Sequence, residues 1–417
     1  MLEKVKTIAP ILLKWFFICV LIGVFSGSAS AFFLVSLEWV TQIREHNNWI
    51  IWLLPMGGLL IGLGYHYYGA SVVKGNNLLL EEYDKPQKVI PLKMAPFVLI
   101  GTLITHLLGG SAGREGTAVQ MGGAIADQFK IIFKLEDNDR RALIVMGISA
   151  GFASIFGTPI AGAIFAIEVL YCSKIDIKSV ILSFAVAFIA HFTVVFWAVK
   201  HTHYSIPIVP DFNGTALLWI IIASIIFGFA AMLFSRSTHF WGRLFSKNIP
   251  YPPLRPFIGG AILAVAFYFF HVQKFIGLGV PVIVDSFSNP SETYDFLLKI
   301  LFTGFTLGCG FKGGEVTPLF FVGATLGSAL SLFIPLPIAL LAGMGFVAVF
   351  SGATHTPIAC TAMGIELFGI ESGLYIALAC CIAYLFSGSV GIYSSQNSKG
   401  TKYKLYQRFK RANLKHL

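Results

Sequence analysis

Two carboxylates stand where the sequence makes carboxylates costly. Glu115 lies in Gly113-Arg114-Glu115-Gly116-Thr117, between the apolar stretches 98–108 and 119–125. Glu315 lies 200 residues further on, in Gly313-Gly314-Glu315-Val316-Thr317. An ionised side chain at bilayer depth costs ~2.5 kcal/mol or more, so the shared G-x-E-x-T pattern marks an ion pathway or a proton relay. Glycine-rich breaks before apolar runs also create helix N-termini, whose unpaired N–H groups and positive dipole end favour an anion. Gly75-Asn76-Asn77, both G-x-E-x-T stretches and Gly391-Ile392-Tyr393 have this form. An ionised Glu115 competes with such an anion as a tethered carboxylate and vacates the site when protonated. One group then serves as gate and proton carrier. The bland readings are ion pairs of Glu115 with Arg114 and of Glu315 with Lys312.

The elements that must position these groups are membrane helices. The chain of 417 residues is 56% hydrophobic and 12% charged, with mean hydropathy +0.77. That composition specifies an all-α polytopic membrane protein. The apolar run 8–37 is too long for a signal-peptide core and reads as a retained helix. Others, such as 142–171 and 317–350, are too long for one clean crossing, and several are too short. Forty-two glycines, many inside apolar runs, indicate close helix packing and discontinuous helices. The six cysteines lie in or beside apolar segments without metal-ligand spacing and read as small buried hydrophobes. No cofactor and no metal is expected.

The chain repeats itself. Thr158-Pro159-Ile160-Ala161 with Glu168 returns as Thr356-Pro357-Ile358-Ala359 with Glu366, an offset of 198 residues in both cases. Capping or interface roles suit this second acid pair better than transport. The connection after Glu115 carries Lys130, Lys134, Arg140 and Arg141, whereas the matching stretch Ser328–Leu340 carries no charge. Positive-inside bias puts these loops on opposite sides, which makes the repeat inverted. Repeats of 1–212 and 213–396 followed by a basic tail, 397–417, are expected, with both termini cytoplasmic. The short basic tail suits a membrane surface, and no nucleic-acid partner is expected. Such inverted repeats place their binding site near the bilayer midplane.

Gly109-Gly110-Ser111-Ala112-Gly113 matches G-x-S-x-G, but a hydrolase elbow needs a strand–turn–helix context and a base. No H-E-x-x-H motif or P-loop is present. His106, His191, His239 and His355 read as packing or hydrogen-bonding residues, and Tyr393 alone reads as a core or interfacial ring.

These motifs in this order resemble the CLC family of chloride channels and anion/proton antiporters, over residues 15 to 396. The family's G-R-E-G-P is here Gly113–Thr117, with its gating glutamate on Glu115, and its G-x-F-x-P falls on Gly313–Thr317. The chloride-contacting G-S-G-I-P motif is replaced by Gly75-Asn76-Asn77-Leu78-Leu79, and the internal proton glutamate by Val169. This set resembles the CLC-F branch, which exchanges fluoride for protons. The resemblance implies a homodimeric fluoride-exporting antiporter of the cell inner membrane. Glu115 is then the moving gate and proton carrier. Asn76, Gly113, Gly116, Glu315, Val316 and Thr317 line the anion pathway, and Tyr393 donates to the central ion. A strongly hydrated ion such as fluoride calls for strong donors, such as the Thr317 hydroxyl and a protonated carboxyl. The alternative within the fold is a chloride/proton exchanger or a passive chloride channel.

Overall fold

The computed structural model describes residues 2–170, 176–270, 272–396 and 402. Cys172 and the tail residues Lys399, Lys404, Arg408, Lys410, Arg411 and Lys415 lie outside them. The first half runs through α1 (Leu2–His46), α2 (Leu54–Tyr67), α3 (Asn76–Asp84) and α4 (Met94–Leu107). It continues with α5 (Glu115–Ile132), α6 (Asp137–Phe156), α7 (Pro159–Val169) and α8 (Ile177–Phe196). The second half runs through α9 (Gly214–Asn248), α10 (Leu254–Phe269), α11 (Val280–Asp285) and α12 (Asp295–Gly308). It ends with α13 (Val316–Leu330), α14 (Ile338–Thr354), α15 (Pro357–Phe368) and α16 (Gly373–Phe386).

Among the described residues, four stretches are long and apolar enough to cross a membrane alone: Pro10–His46, Asn48–Tyr67, Ile177–Phe196 and Gly214–Asn248. α13 has 15 residues, a length of about 22 Å against a hydrocarbon core of about 30 Å. Helices of this kind end inside the protein, and their termini must find partners there. The apolar run 142–171 divides at Gly157, which adopts φ 74°, ψ 21° and ends α6 before Thr158-Pro159 opens α7. Its repeat equivalent is His355, a non-glycine residue at φ 59°, ψ 42°, before Thr356-Pro357 and α15. The run 317–350 divides at Pro335 and Pro337, which cannot continue a helix.

Reciprocal contacts relate the halves by a local two-fold axis. The Glu168 carboxylate accepts from the N–H groups of Ile358 and Ala359, at 3.1 and 2.8 Å. Glu366 accepts from those of Ile160 and Ala161, at 3.0 and 2.7 Å. Each acid thus caps the first turn of the other repeat's helix, α15 or α7. The capping role expected of this pair is what the structure shows.

Within each half one helix pair carries the close packing. A Cβ on Gly122 of α5 would lie 2.3 Å from the Gly147 carbonyl oxygen of α6, and one on Gly151 would lie 2.4 Å from that of Ala118. In the second half a Cβ on Gly323 would lie 2.0 Å from the Gly345 oxygen, and one on Gly327 would lie 2.1 Å from that of Leu341. Backbones meet here because no side chain intervenes, the usual device for association where lipid is as apolar as the helix. Four cysteines (Cys19, Cys309, Cys360, Cys380) are buried as expected, but Cys381 is exposed.

Arg140 departs from the expectation of a free cytoplasmic charge. It is fully buried and grips Asp127 with Nε and Nη2, both at 2.8 Å, and Glu82 with Nη1 at 2.9 Å. Asp127 also accepts from the Ile90 N–H at 2.7 Å. This network fastens α3 to α5 and α6, and so fixes where the N-terminus of α3 points. The positive-inside count after α5 therefore rests on Lys130, Lys134 and Arg141, with Lys130 paired to Asp137 at 2.6 Å.

Candidate anion site

The two G-x-E-x-T stretches meet at the centre of the chain. The Gly113 N–H donates to the Gly314 carbonyl at 2.6 Å, and the Gly314 N–H donates to that of Gly113 at 2.7 Å. This antiparallel bridge joins the halves through backbone alone. A Cβ on Gly113 would sit 2.9 Å from the Gly314 oxygen and 2.8 Å from Pro318 Cδ, so only glycine fits. The bridge sets the N-terminus of α5 against that of α13.

Glu115 is 1% exposed and turns its carboxylate into the N-terminus of α13. Its Oε2 accepts from the Thr317 N–H at 3.0 Å and from the Arg114 N–H at 3.1 Å. Its Oε1 takes the Thr317 hydroxyl. The carboxylate thus occupies the position in which a helix N-terminus holds an anion. The Arg114 Nε lies 3.6 Å from Oε1, an ion contact without a hydrogen bond. The pairing of Glu115 with Arg114 is present, but the directed hydrogen bonds run to Thr317.

The remaining candidates gather around this point. Val316 and Thr317 are buried at the start of α13. A Cβ on Gly116 would lie 3.0 Å from Asn76 Nδ2 and 3.9 Å from Glu315 Oε2. The N-terminus of α3 therefore reaches the same spot from a third direction. Asn76 Oδ1 is buried without a hydrogen-bond partner. The carboxyls of Glu115 and Glu315 interact electrostatically, and both act on the buried Tyr393. Glu315 makes no close ion pair among the described residues. The Lys312 ammonium lies instead over the Tyr65 ring, 4.1 Å from its centre.

One expected N-terminus lies at the edge of the described residues. Gly391-Ile392-Tyr393 opens no helix among the described residues. The Ile392 N–H donates to the Ala353 carbonyl at 2.9 Å and ties the segment to the end of α14. Tyr393 then begins a turn closed by the Gln396 N–H at 3.2 Å.

Several partners were not legible in the motifs. The Thr117 and Thr102 hydroxyls pair at 2.7 Å, steadying α5 on α4. A cavity of ≈ 20 Å³ borders the carboxylate, lined by Arg114, Glu115, His201, Tyr204, Thr317 and Phe320, room for about one water. The loop 197–213 brings His201 and Tyr204 here, and no periodicity announces a loop's destination. Ser111 of the G-x-S-x-G match pairs its hydroxyl with that of Thr303 at 3.0 Å. His106 Nε2 faces the Gly113 carbonyl at 3.4 Å, not Ser111, and no strand precedes the turn. His239 bonds the Gly391 carbonyl at 2.9 Å, while His191 and His355 pack against Phe192 and Tyr384.

The sequence model of the voltage gated chloride channel family matches residues 57–388. The chain belongs to this family. Over 400 residues it is 48% identical to a chloride/fluoride channel protein of Pseudomonas syringae pv. tomato, covering 94% of this chain and 88% of that one. It is 25% identical over 389 residues to an H(+)/Cl(-) exchange transporter of Vibrio campbellii, covering 84% of this chain and 81% of that one. Among solved structures it is similar to a CLC-type fluoride/proton antiporter, with 34% identity and a TM-score of 0.90, covering 93% and 98% of the two chains. A slow cyanobacterial Cl-/H+ antiporter shares the fold at TM-score 0.76 and 19% identity, covering 95% and 97%. The fold is thus that of the CLC family: all-α, membrane-spanning, with two inverted-topology repeats and discontinuous helices.

Proposed function

We propose that the chain is a membrane antiporter that exports fluoride in exchange for protons, with Glu115 coupling the two. The observation that carries the reading is the Glu115 carboxylate docked on the Thr317 N–H and hydroxyl at the start of α13. A side chain that mimics an anion is bound where a free anion would be. Protonation removes its charge and weakens every bond it accepts; a proton on Oε2 sets that oxygen, now a donor, against the N–H groups of Thr317 and Arg114. The carboxyl leaves, an anion enters, and the proton departs with the side chain.

The donor set favours the smaller halide. A hydroxyl (Thr317), a carboxamide N–H (Asn76), backbone N–H groups and a protonated Glu315 supply strong, directed hydrogen bonds. Fluoride gives up more hydration than chloride and gains more from such donors. Gly113, Gly116 and Val316 contribute close backbone approach, and Tyr393 donates its O–H to the ion between the acids. The similarity to a chloride/fluoride channel protein and to a fluoride/proton antiporter agrees with this choice.

The division into repeats 1–212 and 213–396 with a basic tail, the homodimer, the inner-membrane location and the cytoplasmic termini belong to the same proposal. So does a transporter that needs no cofactor or metal. The test is a flux measurement on purified protein in liposomes. A fluoride gradient is expected to drive proton movement, with chloride a poor substitute. Equal chloride and fluoride fluxes would overturn the substrate, and fluoride flux without proton movement would make the protein a channel.

A further inference from the structure

Glu315 needs a proton supply, and the local acids do not provide one. Glu168 is spent on the N-terminus of α15, and the next residue is the apolar, buried Val169. Among the described residues the charged groups that act on Glu315 are Glu115 and Lys312. The Glu115 carboxylate is engaged by Thr317 and Arg114, which leaves Lys312, three residues before Glu315 in the loop that joins α12 to α13.

Along the chain Lys312 stands three residues before Glu315, the acid whose charge acts on it without a close ion pair. In space it lines a cavity of ≈ 280 Å³, open to the exterior, between α2, the α9–α10 connection and the end of α12. Its ammonium is held over the Tyr65 ring, and its stem packs where a Cβ on Gly101 would come within 3.0 Å. Tyr65, His66, Arg255 and Gly310 share the cavity with it, and no carboxylate does. Arg255 is anchored to the Ile249 carbonyl at 2.9 Å. Glu315 lines no part of this space, whereas Lys312 does.

We infer that Lys312 relays protons between this cavity and Glu315. The inference rests on the antiport reading above. When the flexible stem swings the ammonium from Tyr65 to Glu315, Lys312 gives the carboxylate a proton: an N–H bond breaks, an O–H bond forms, and a neutral amine and a neutral acid remain. The amine then takes a proton from water in the cavity, which restores the ammonium over Tyr65. A lysine can do this because its charge is on a releasable proton. An arginine in the same place cannot, because guanidinium does not deprotonate in proteins.

The test compares the full-length wild type with Lys312→Met, Lys312→Arg and Ala70→Trp in liposomes. Ala70 is exposed and lines the cavity, so the indole narrows it without touching Lys312. Fluoride-driven proton uptake is expected to fall about tenfold or more in both lysine variants, and to slow in Ala70→Trp. Fluoride binding by calorimetry should persist in all three. Wild-type proton uptake in Lys312→Arg would overturn the relay, since charge alone would then suffice. Unchanged uptake in Lys312→Met or Ala70→Trp would overturn it equally. Loss of fluoride binding in Lys312→Arg would assign Lys312 to the anion site instead. If the wild type itself moves no protons, the antiport reading fails first.

Discussion

Replacing Glu115 by glutamine removes a charge and little else, and its consequence can be worked from the contacts. The native carboxylate accepts from Thr317 N–H, Thr317 O–H and Arg114 N–H. A carboxamide offers one oxygen to these donors and turns an N–H₂ group on the rest. Hydrogen bonds to a charged acceptor contribute about 1.5–3 kcal/mol each, and neutral ones about 0.5–1.5. The tethered competitor therefore weakens by ~1–3 kcal/mol, and an anion at the start of α13 gains that amount. Apparent fluoride affinity should rise roughly 5- to 150-fold. The amide also carries no titratable proton, so fluoride-driven proton uptake should fall to the level of protein-free liposomes. The assay is a pH electrode on proteoliposomes under a fluoride gradient, with calorimetry for the affinity. Proton uptake near the wild-type rate would refute the assignment of Glu115 as carrier, whatever the affinity did.

Other consequences follow from the same contacts. Thr317→Val deletes the hydroxyl donor and should weaken fluoride binding by ~1.5–3 kcal/mol, with Thr317→Ser restoring it in calorimetry. Arg140→Met leaves Asp127 and Glu82 as buried, unpaired acids and should cost about 3–5 kcal/mol, read as a lower thermal midpoint in detergent. Gly323→Ala puts a methyl against the Gly345 carbonyl, 2.0 Å away. It should separate α13 from α14 at a cost of about 1–3 kcal/mol, seen as reduced stability and fluoride flux together.

Much of the architecture was legible because it is written twice. The doubled Thr-Pro with a glutamate ten residues on fixes the starts of α7 and α15, and the same acids turn out to cap them crosswise. The G-x-E-x-T echo brings Glu115 and Glu315 together through the Gly113–Gly314 bridge. What the sequence concealed lies in contacts between segments that share no pattern. Arg140 reads as a loop charge because nothing local announces Asp127 and Glu82 as its partners. Lys312 reads as a partner for Glu315, yet its flexible stem carries the ammonium to Tyr65, a residue of α2. Gly391 resembles the other helix openings, and no pattern announces the backbone bond that ties Ile392 to Ala353. The halves of 317–350 are separated by two prolines whose effect a hydropathy reading smooths over.

The central claim is that a fluoride ion and the Glu115 carboxylate exclude one another at the Thr317 donors, so that binding the ion binds a proton. Calorimetric titration of fluoride in buffers of different ionisation enthalpy measures that linkage directly. The expected result is uptake of about one proton per fluoride bound by the wild type, and none by Glu115→Gln. Normal fluoride binding with no proton uptake in the wild type would contradict the account.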